Sequence, residues 1–328
     1  MSIQLFNDDC FNIFPTIENK SIDLFVLDLP YANFKFGKCT ACKWDLPIDL
    51  DKMWIEIKRI MKPNATIVFF CNTKFGYALI DSNPKWFKYD LIWKKSRKVG
   101  FLSANKQPLR QHENIYLFSN NHITHCKNGK YGTYNPQKTE GKPYKVKGGK
   151  SKKVNGSLSR GHEVYTKDYE NEGDRHPTSI IDHENIYVFK EKNGTYNPQK
   201  TEGHKKYISK ERMEKQGQIY NKGLPLLRTP TKDTDKRHPT SLIDYDGDSI
   251  LIYNNPNKPI HKTQKPAELC EWLIKTYSNE GDTVMDFTMG SGTVAIACLN
   301  TNRKFIGIEK DEEIFISAQN RIIEHLEI

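Results

Sequence analysis

The order of apolar and polar residues divides the chain into short strands and helices. Ile3, Leu5 and Phe6 around Gln4 predict a strand over 3–6, closed by the polar turn Asn7-Asp8-Asp9. Residues 22–27 predict a second strand, which runs into Asp28-Leu29-Pro30-Tyr31. Over 49–62, Met53, Trp54, Ile57, Ile60 and Met61 recur at helical spacing, and Pro63-Asn64 stops that helix. The apolar run 65–71 predicts a buried strand, and 89–93 and 114–118 predict two more. The same rhythm returns near the C-terminus. A helix over 265–278 has Pro266 in its first turn and Leu269, Trp272, Leu273 and Tyr277 at core spacing. A strand at 283–285, a turn over 286–293, a helix from Val294, a strand at 305–309 and a last helix from about 311 to 326 follow. Strands alternating with helices predict an α/β fold with a doubly wound, mostly parallel sheet covered on both faces.

Residues 119–258 lack this periodicity and are rich in Lys, Gly, Asn and Pro. The 328-residue chain carries 50 Lys and Arg against 40 Asp and Glu, a net charge of +10. Residues 121–260 hold 26 of the basic and 17 of the acidic groups, which leaves the flanks nearly balanced. Such a bias suits an anionic partner, nucleic acid first, and equally a solvated insert. The middle also repeats itself. Residues 133–141 (Thr-Tyr-Asn-Pro-Gln-Lys-Thr-Glu-Gly) recur identically at 195–203, and 175–182 recur with one change at 237–244. His112-Glu113-Asn114-Ile115-Tyr116 recurs at 183–187. The simplest account is a tandem duplication, with copy one from about 112 to 182 and copy two from about 183 to 244. Whether both copies act stays open.

Two turns carry candidate chemistry. Asp286-Phe287-Thr288-Met289-Gly290-Ser291-Gly292-Thr293 lies between a strand and a helix, where glycines let backbone approach a ligand. Glu309, at the end of the next strand, suits the two hydroxyls of a ribose. Asp28-Leu29-Pro30-Tyr31 also ends a strand. Ligands in open α/β sheets bind outside those ends, so the two turns can share one crevice. The amino group of a nucleobase is a poor nucleophile because its lone pair is delocalised into the ring. A carboxylate (Asp28) and a backbone carbonyl beside a proline can accept its two hydrogens and make the nitrogen more tetrahedral. Tyr31 can stack on an extruded base. Alone, the glycine motif is equally well an ordinary tight turn, and Asp-x-Pro-Tyr reads first as a strand-ending turn.

Together these residues resemble the amino-methylating DNA methyltransferases, in the circularly permuted motif order called the beta class. There a catalytic Asp-Pro-Pro-Tyr precedes the glycine motif, as Asp28-Leu29-Pro30-Tyr31 precedes 286–293 here, with Leu29 in place of a proline as in phage-like members. His261-Lys262-Thr263-Gln264-Lys265-Pro266 is similar to the class's His-x-Thr-Gln-Lys-Pro, and Asp9 matches its acidic residue after the first strand. The resemblance implies a Rossmann-like methyltransferase fold, S-adenosylmethionine as cofactor, and transfer to N6 of adenine in double-stranded DNA by base flipping. Asp28, Leu29, Pro30 and Tyr31 would be catalytic. Asp9, Asp28, His261, Thr263, Gln264, Lys265, Asp286, Gly290, Ser291, Gly292, Thr293 and Glu309 would hold the cofactor. Residues 1–118 would form the catalytic half, 119–258 the target-recognition region and 259–328 the cofactor half. Asp at the first motif position leans towards adenine over N4 of cytosine. A catalytically inactive DNA-binding protein of this fold, and an RNA substrate, are the alternatives. A homodimer and a cognate restriction enzyme stay open as partners. Thr288 stands where the family usually has Phe, and 32–43 is longer than the pattern leads one to expect.

Seven cysteines at irregular spacing, no leader-like start and no apolar run near 18 residues lead to the expectation of a reducing, bacterial or phage-encoded intracellular setting away from membranes. No Pro-Cys pair is present, which argues against the cysteine-nucleophile route of carbon-5 cytosine methylation. Cys39 and Cys42 have half of a zinc site's spacing, with His122, His125 and Cys126 far along the chain, and ordinary reduced thiols are the preferred reading. Lys95, Arg97 and Arg110 are candidates for a DNA cleft or, more simply, solvated surface.

Overall fold

A computed structural model of the chain describes residues 2–32, 37, 45–121, 132–140, 142–150, 165–166, 168–175, 251–253 and 264–327. The chain divides into two compact units, Met1–Asn135 with Ser179–Ile328, and Pro136–Thr178.

The strands of the larger unit's sheet are β1 (Ile3–Asn7), β2 (Ile22–Leu27), β3 (Met61–Cys71), β4 (Phe87–Val99), β5 (Arg110–Phe118), β6 (Leu251–Tyr253), β7 (Thr283–Asp286) and β8 (Lys304–Glu309). Their spatial order is β1-β8-β7-β2-β3-β5-β4-β6. Every neighbouring pair is parallel except the two made by β5. The helices are α1 (Cys10–Ile13), α2 (Leu50–Ile60), α3 (Thr73–Ser82), α4 (Ala267–Tyr277), α5 (Thr293–Asn300) and α6 (Glu312–Leu326). From β7 the chain continues to β8 beside it, whereas from β2 it continues to β3 on the other side. The crevice at the carboxyl ends of β2 and β7 is therefore the switch point of the sheet, where ligands bind in this architecture.

Both faces of the sheet are buried, which is why its strands read as apolar runs. Phe25 and Leu27 of β2 and Phe69 of β3 join Trp54 and Ile57 of α2 and Phe75 of α3 in one core. Leu24, Val26, Val68 and Phe70 join Leu269 and Leu273 of α4 and Ala295 of α5 in the other. Side chains alternate across a strand, so Asp28 continues the Leu24–Val26 series onto the α4 side. Helix starts are capped by short polar side chains: Asp49 accepts from Lys52 N at 3.1 Å, Asn72 from Phe75 N at 2.8 Å and Asp311 from Ile314 N at 3.1 Å.

The element types expected from periodicity are present, and the differences have physical causes. Helices α1 and α3 carry no expectation from the sequence. One is a single turn, and the other contains Gly76, where a Cβ would fall 2.5 Å from Tyr116 Cε2 on β5. Close packing of α3 on the sheet, not helix propensity, chose that glycine. β4 and β5 outrun their predicted ranges through polar ends that apolar alternation cannot register.

The irregular middle is partly ordered. Tyr134 and Asn135 of copy one close the end of α4. The Asn135 side chain donates to Lys275 O at 3.2 Å and Ser278 O at 3.0 Å, and its N–H to Thr276 O at 2.7 Å. The Tyr134 ring lies 6.2 Å from that of Tyr277. Helix ends need such partners for their last carbonyls. In the smaller unit, Tyr144–Val146 pairs antiparallel with Tyr169–Asn171, Thr139–Glu140 with Asp174–Arg175, and Gly149–Lys150 with Tyr165–Thr166. Strands this short and polar give no alternation to read. Copy two lies outside the described residues, as do Cys39, Cys42, His122, His125 and Cys126.

Gly292 precedes α5 at φ +71°, and a Cβ there would come 3.2 Å from Ile322 Cδ1 and 3.4 Å from Ala318 Cβ of α6. Gly292→Ala is expected to cost about 1–3 kcal/mol through left-handed backbone strain and crowding. Chemical denaturation measures it, and an unchanged midpoint would contradict the argument.

Candidate active site

A cavity of about 870 Å³ opens at the switch point. Of the residues expected to form a site, Asp9, Asp28, Leu29, Pro30, Tyr31, Gln264, Lys265, Asp286, Gly290, Ser291, Thr293 and Glu309 line it. Gly292 packs against α6 as described, and His261 and Thr263 lie outside the described residues.

One group of lining residues is acidic and comes from β1, β7 and β8. Asp9 caps α1 by accepting from Phe11 N at 3.0 Å and pairs with Lys310 at 2.9 Å. Burial disfavours its charge, but Lys310 and the Phe11 N–H outweigh this and hold its pKa below the ordinary value. Glu309 accepts from Gly290 N at 3.0 Å and Asp311 N at 2.9 Å, which ties the glycine turn to the end of β8. Burial raises its pKa against those bonds. Gly290 has φ +51°, and the nearest atom to a Cβ there would be Thr288 O at 3.9 Å, so the glycine leaves open a cradle at backbone level.

Asp286 is 3% exposed and accepts from Thr288 N at 3.0 Å, with the Thr288 hydroxyl at 3.4 Å. Thr288, at the position where a phenylalanine is usual, thus bonds within the turn and also reaches Asp28 O at 3.5 Å. Burial pushes Asp286 up to about 8, only partly offset by the Thr288 N–H. A carboxyl whose pKa is higher folded than unfolded holds its proton more tightly in the folded state, so stability is lost as pH climbs from about 4 to about 8. Asp286→Asn is expected to flatten that decline and to raise the unfolding midpoint most near the upper end. Parallel pH profiles for the two proteins would refute it.

The second group surrounds Asp28. Its carboxylate accepts from the Tyr31 hydroxyl at 3.0 Å and pairs with the Lys265 ammonium. Burial raises its pKa and Lys265 pulls it back. The Tyr31 ring stacks on Phe75 at 5.6 Å, and its hydroxyl also donates to Glu113. Lys265 lies 3.5 Å from Glu113 and 5.0 Å from the centre of the Phe70 ring. Lys95 pairs with Glu113 above the Trp93 ring. It is therefore part of the cavity rather than solvated surface. Arg110 donates to His112 O at 3.0 Å, and the Arg97 side chain lies outside the described set. Glu113 is 5% exposed. Burial opposes its charge, but Lys265 and Lys95 dominate and bring it down to about 2.

Glu113, Phe70 and Trp93 are functional candidates that motif reading misses. The available signal is register: Glu113 faces Trp93 across the β4–β5 ladder, on the same side as Ile115 and Leu117, where the apolar series gives way to charge. The described cysteines, Cys10, Cys71, Cys270 and Cys298, are buried thiols whose pKa burial raises, Cys10 to about 12. None of these four is a ready thiolate nucleophile. Among the described residues no helix is long and apolar enough to cross a membrane.

The chain is similar to known proteins. The type II methyltransferase M.HpaI of Haemophilus parainfluenzae is 44% identical over 74 residues, 23% of this chain and 24% of that protein. The chain thus matches only about a quarter of that relative's length. The PvuII DNA methyltransferase (cytosine-N4-specific) superposes with a TM-score of 0.52 at 11% identity, over 100% of this chain and 92% of that one, and shares the fold. The M1.HpyAVI–SAM complex covers 97% of this chain and 99% of its own at 19% identity and a TM-score of 0.48. The N6/N4 methyltransferase family described as DNA methylase matches residues 22–320. With both of its motif turns meeting in one cavity, the chain belongs to that DNA methylase family.

Proposed function

We propose that the protein is a site-specific DNA methyltransferase that transfers a methyl group from S-adenosylmethionine to N6 of adenine in double-stranded DNA. The observation that carries this reading is the meeting of Asp28-Leu29-Pro30-Tyr31 with the glycine turn at the switch point of the sheet.

The residues present fit the cofactor. Asp9 and Glu309 offer carboxylates to a cation, Glu309 suits ribose hydroxyls, and Gly290 leaves room at backbone level. A cavity of about 870 Å³ is of the size that takes a small ligand. When bound, S-adenosylmethionine supplies an electrophilic sulfonium methyl. Asp28 accepts a hydrogen from the target amino group and stabilises positive charge as it develops on the nitrogen. The carbonyl of Leu29, next to Pro30, accepts the other. Tyr31, braced by Phe75, offers a ring face to the flipped base. No covalent enzyme intermediate is needed.

Aspartate at position 28 supports adenine over cytosine, by the resemblance set out above. Support for duplex DNA comes from the exposed Lys142, Tyr144, Lys145 and Lys147 of the smaller unit. The end of β4 and the β4–β5 connection add exposed Lys98, Phe101, Leu102 and Lys106. Cations of this kind neutralise phosphates and apolar tips enter base steps. The test is transfer of labelled methyl to unmethylated DNA followed by nucleoside mass analysis. Labelled N6-methyladenine is the expected product. N4-methylcytosine would overturn the choice of base, and label in RNA alone would overturn the choice of nucleic acid.

A further inference from the structure

Glu113 is a buried carboxylate of the cavity with no part in the chemistry above. Three donors hold it: the Tyr31 hydroxyl, Lys95 and, at 3.5 Å, Lys265. The same Lys265 ammonium makes its tighter contact with Asp28. One cation therefore sits between two carboxylates, nearer the one that has to accept the amino hydrogens of the base.

An ammonium is a stronger partner for a carboxylate than a neutral amino group. Lys265 on Oδ2 and the amino group are thus competing donors for Asp28, whose Oδ1 is already taken by the Tyr31 hydroxyl, and the base bonds Asp28 most strongly when Lys265 gives way. Moving a buried ammonium off its counter-ion is costly unless another anion receives it. Glu113 is that anion. It is already within ion-pair distance of Lys265, and Lys95, itself over the Trp93 ring, pairs with its other oxygen. The centre of the Phe70 ring lies beneath the Lys265 ammonium, 5.0 Å from it.

We propose that Glu113 is a positioning residue for methyl transfer, drawing Lys265 from Asp28 as the target amino group arrives and so freeing the Asp28 carboxylate to accept its hydrogen. The proposal rests on Asp28 being the amino acceptor. Charge is conserved in the exchange, since the ammonium only changes which carboxylate it sits on.

The experiment compares single-turnover methyl transfer, at saturating S-adenosylmethionine and unmethylated DNA, for the wild type, E113Q, E113D, K265M and the double variant E113Q/K265M. Glutamine keeps an acceptor for the Tyr31 hydroxyl but no longer draws the ammonium. E113Q is expected to be about 100-fold slower with unchanged cofactor affinity, and to unfold at a lower midpoint because Lys95 loses its buried carboxylate. E113D keeps the charge and is expected to stay within about tenfold of the wild type. E113Q/K265M is expected to be at least about tenfold faster than E113Q, because no ammonium then competes for Asp28. That rescue is a result a purely structural role would not give. The proposal is overturned if E113Q transfers at the wild-type rate, if E113D is as slow as E113Q, or if the double variant is no faster than E113Q. An active D28A control would remove the reading of Asp28 itself. An inactive D28A beside an undamaged E113Q would remove only the role of Glu113.

Discussion

Asp28→Ala is expected to slow methyl transfer by at least about 10³-fold while leaving S-adenosylmethionine affinity within about twofold of the wild type. The loss is large because Asp28 is the carboxylate the fold brings to the amino group. It follows Leu24 and Val26 on the α4 side of β2, and its orientation is fixed by the Tyr31 hydroxyl at 3.0 Å and by Lys265. A group held in this way costs no reorganisation when charge develops on the nitrogen, and deleting one such group commonly loses about 10²–10³ in rate. Cofactor affinity stays because Asp9, Gly290 and Glu309 stand on other elements and do not bond to Asp28 among the described contacts. Fold stability should move little, since Lys265 retains Glu113 at 3.5 Å and is not stranded as an unpaired buried cation. Asp28→Asn keeps the shape with a weaker acceptor and should fall between the two. Labelled transfer and calorimetric titration read the two quantities separately, and a D28A protein within about tenfold of wild-type rate would end the assignment.

The contrast between what the sequence announces and what it hides follows from kinds of interaction. Asp28 and Gly290 stand next to the apolar runs that make β2 and β7, so a strand prediction carries its site residues with it. Helix α2 is legible because Met53, Trp54, Ile57 and Ile60 mark one face. Glu113 is not legible in this way. It lies 85 positions from Asp28 in the chain, and the link between them is Tyr31 and Lys265, each bonded to both carboxylates. Only the folding of β5 antiparallel between β3 and β4 brings it there. Lys265 is found by its motif, but its partners are anionic side chains at the catalytic turn. Asn135 carries a motif whose part in copy one is closure of α4, because a short polar side chain serves a helix end as readily as a nucleotide. Residue type narrows the chemistry, and the partner decides it.

Glu309→Gln should give the opposite kinetic pattern to Asp28→Ala. The two carboxylate oxygens of Glu309 accept from Gly290 N at 3.0 Å and from Asp311 N at 2.9 Å, and its backbone carbonyl accepts from Asn7 Nδ2 at 2.9 Å. The side chain thereby fixes the glycine turn after β7 to the end of β8, while the main chain of Glu309 joins β1. A glutamine presents one acceptor and one donor, so one of the two N–H groups would meet an N–H. Removing a charged hydrogen-bond acceptor costs about 1.5–3 kcal/mol, which corresponds to a dissociation constant for S-adenosylmethionine raised by about 10- to 100-fold. Once the cofactor is saturating, the methyl-transfer rate should return to near the wild-type value, because Asp28, Tyr31 and Lys265 are untouched. Binding titration and single-turnover rates measured against cofactor concentration distinguish the two effects. A Glu309→Gln protein that binds S-adenosylmethionine normally but transfers slowly would mean that the glycine turn and the Asp28 turn do not divide binding from chemistry as their separate hydrogen-bond sets imply.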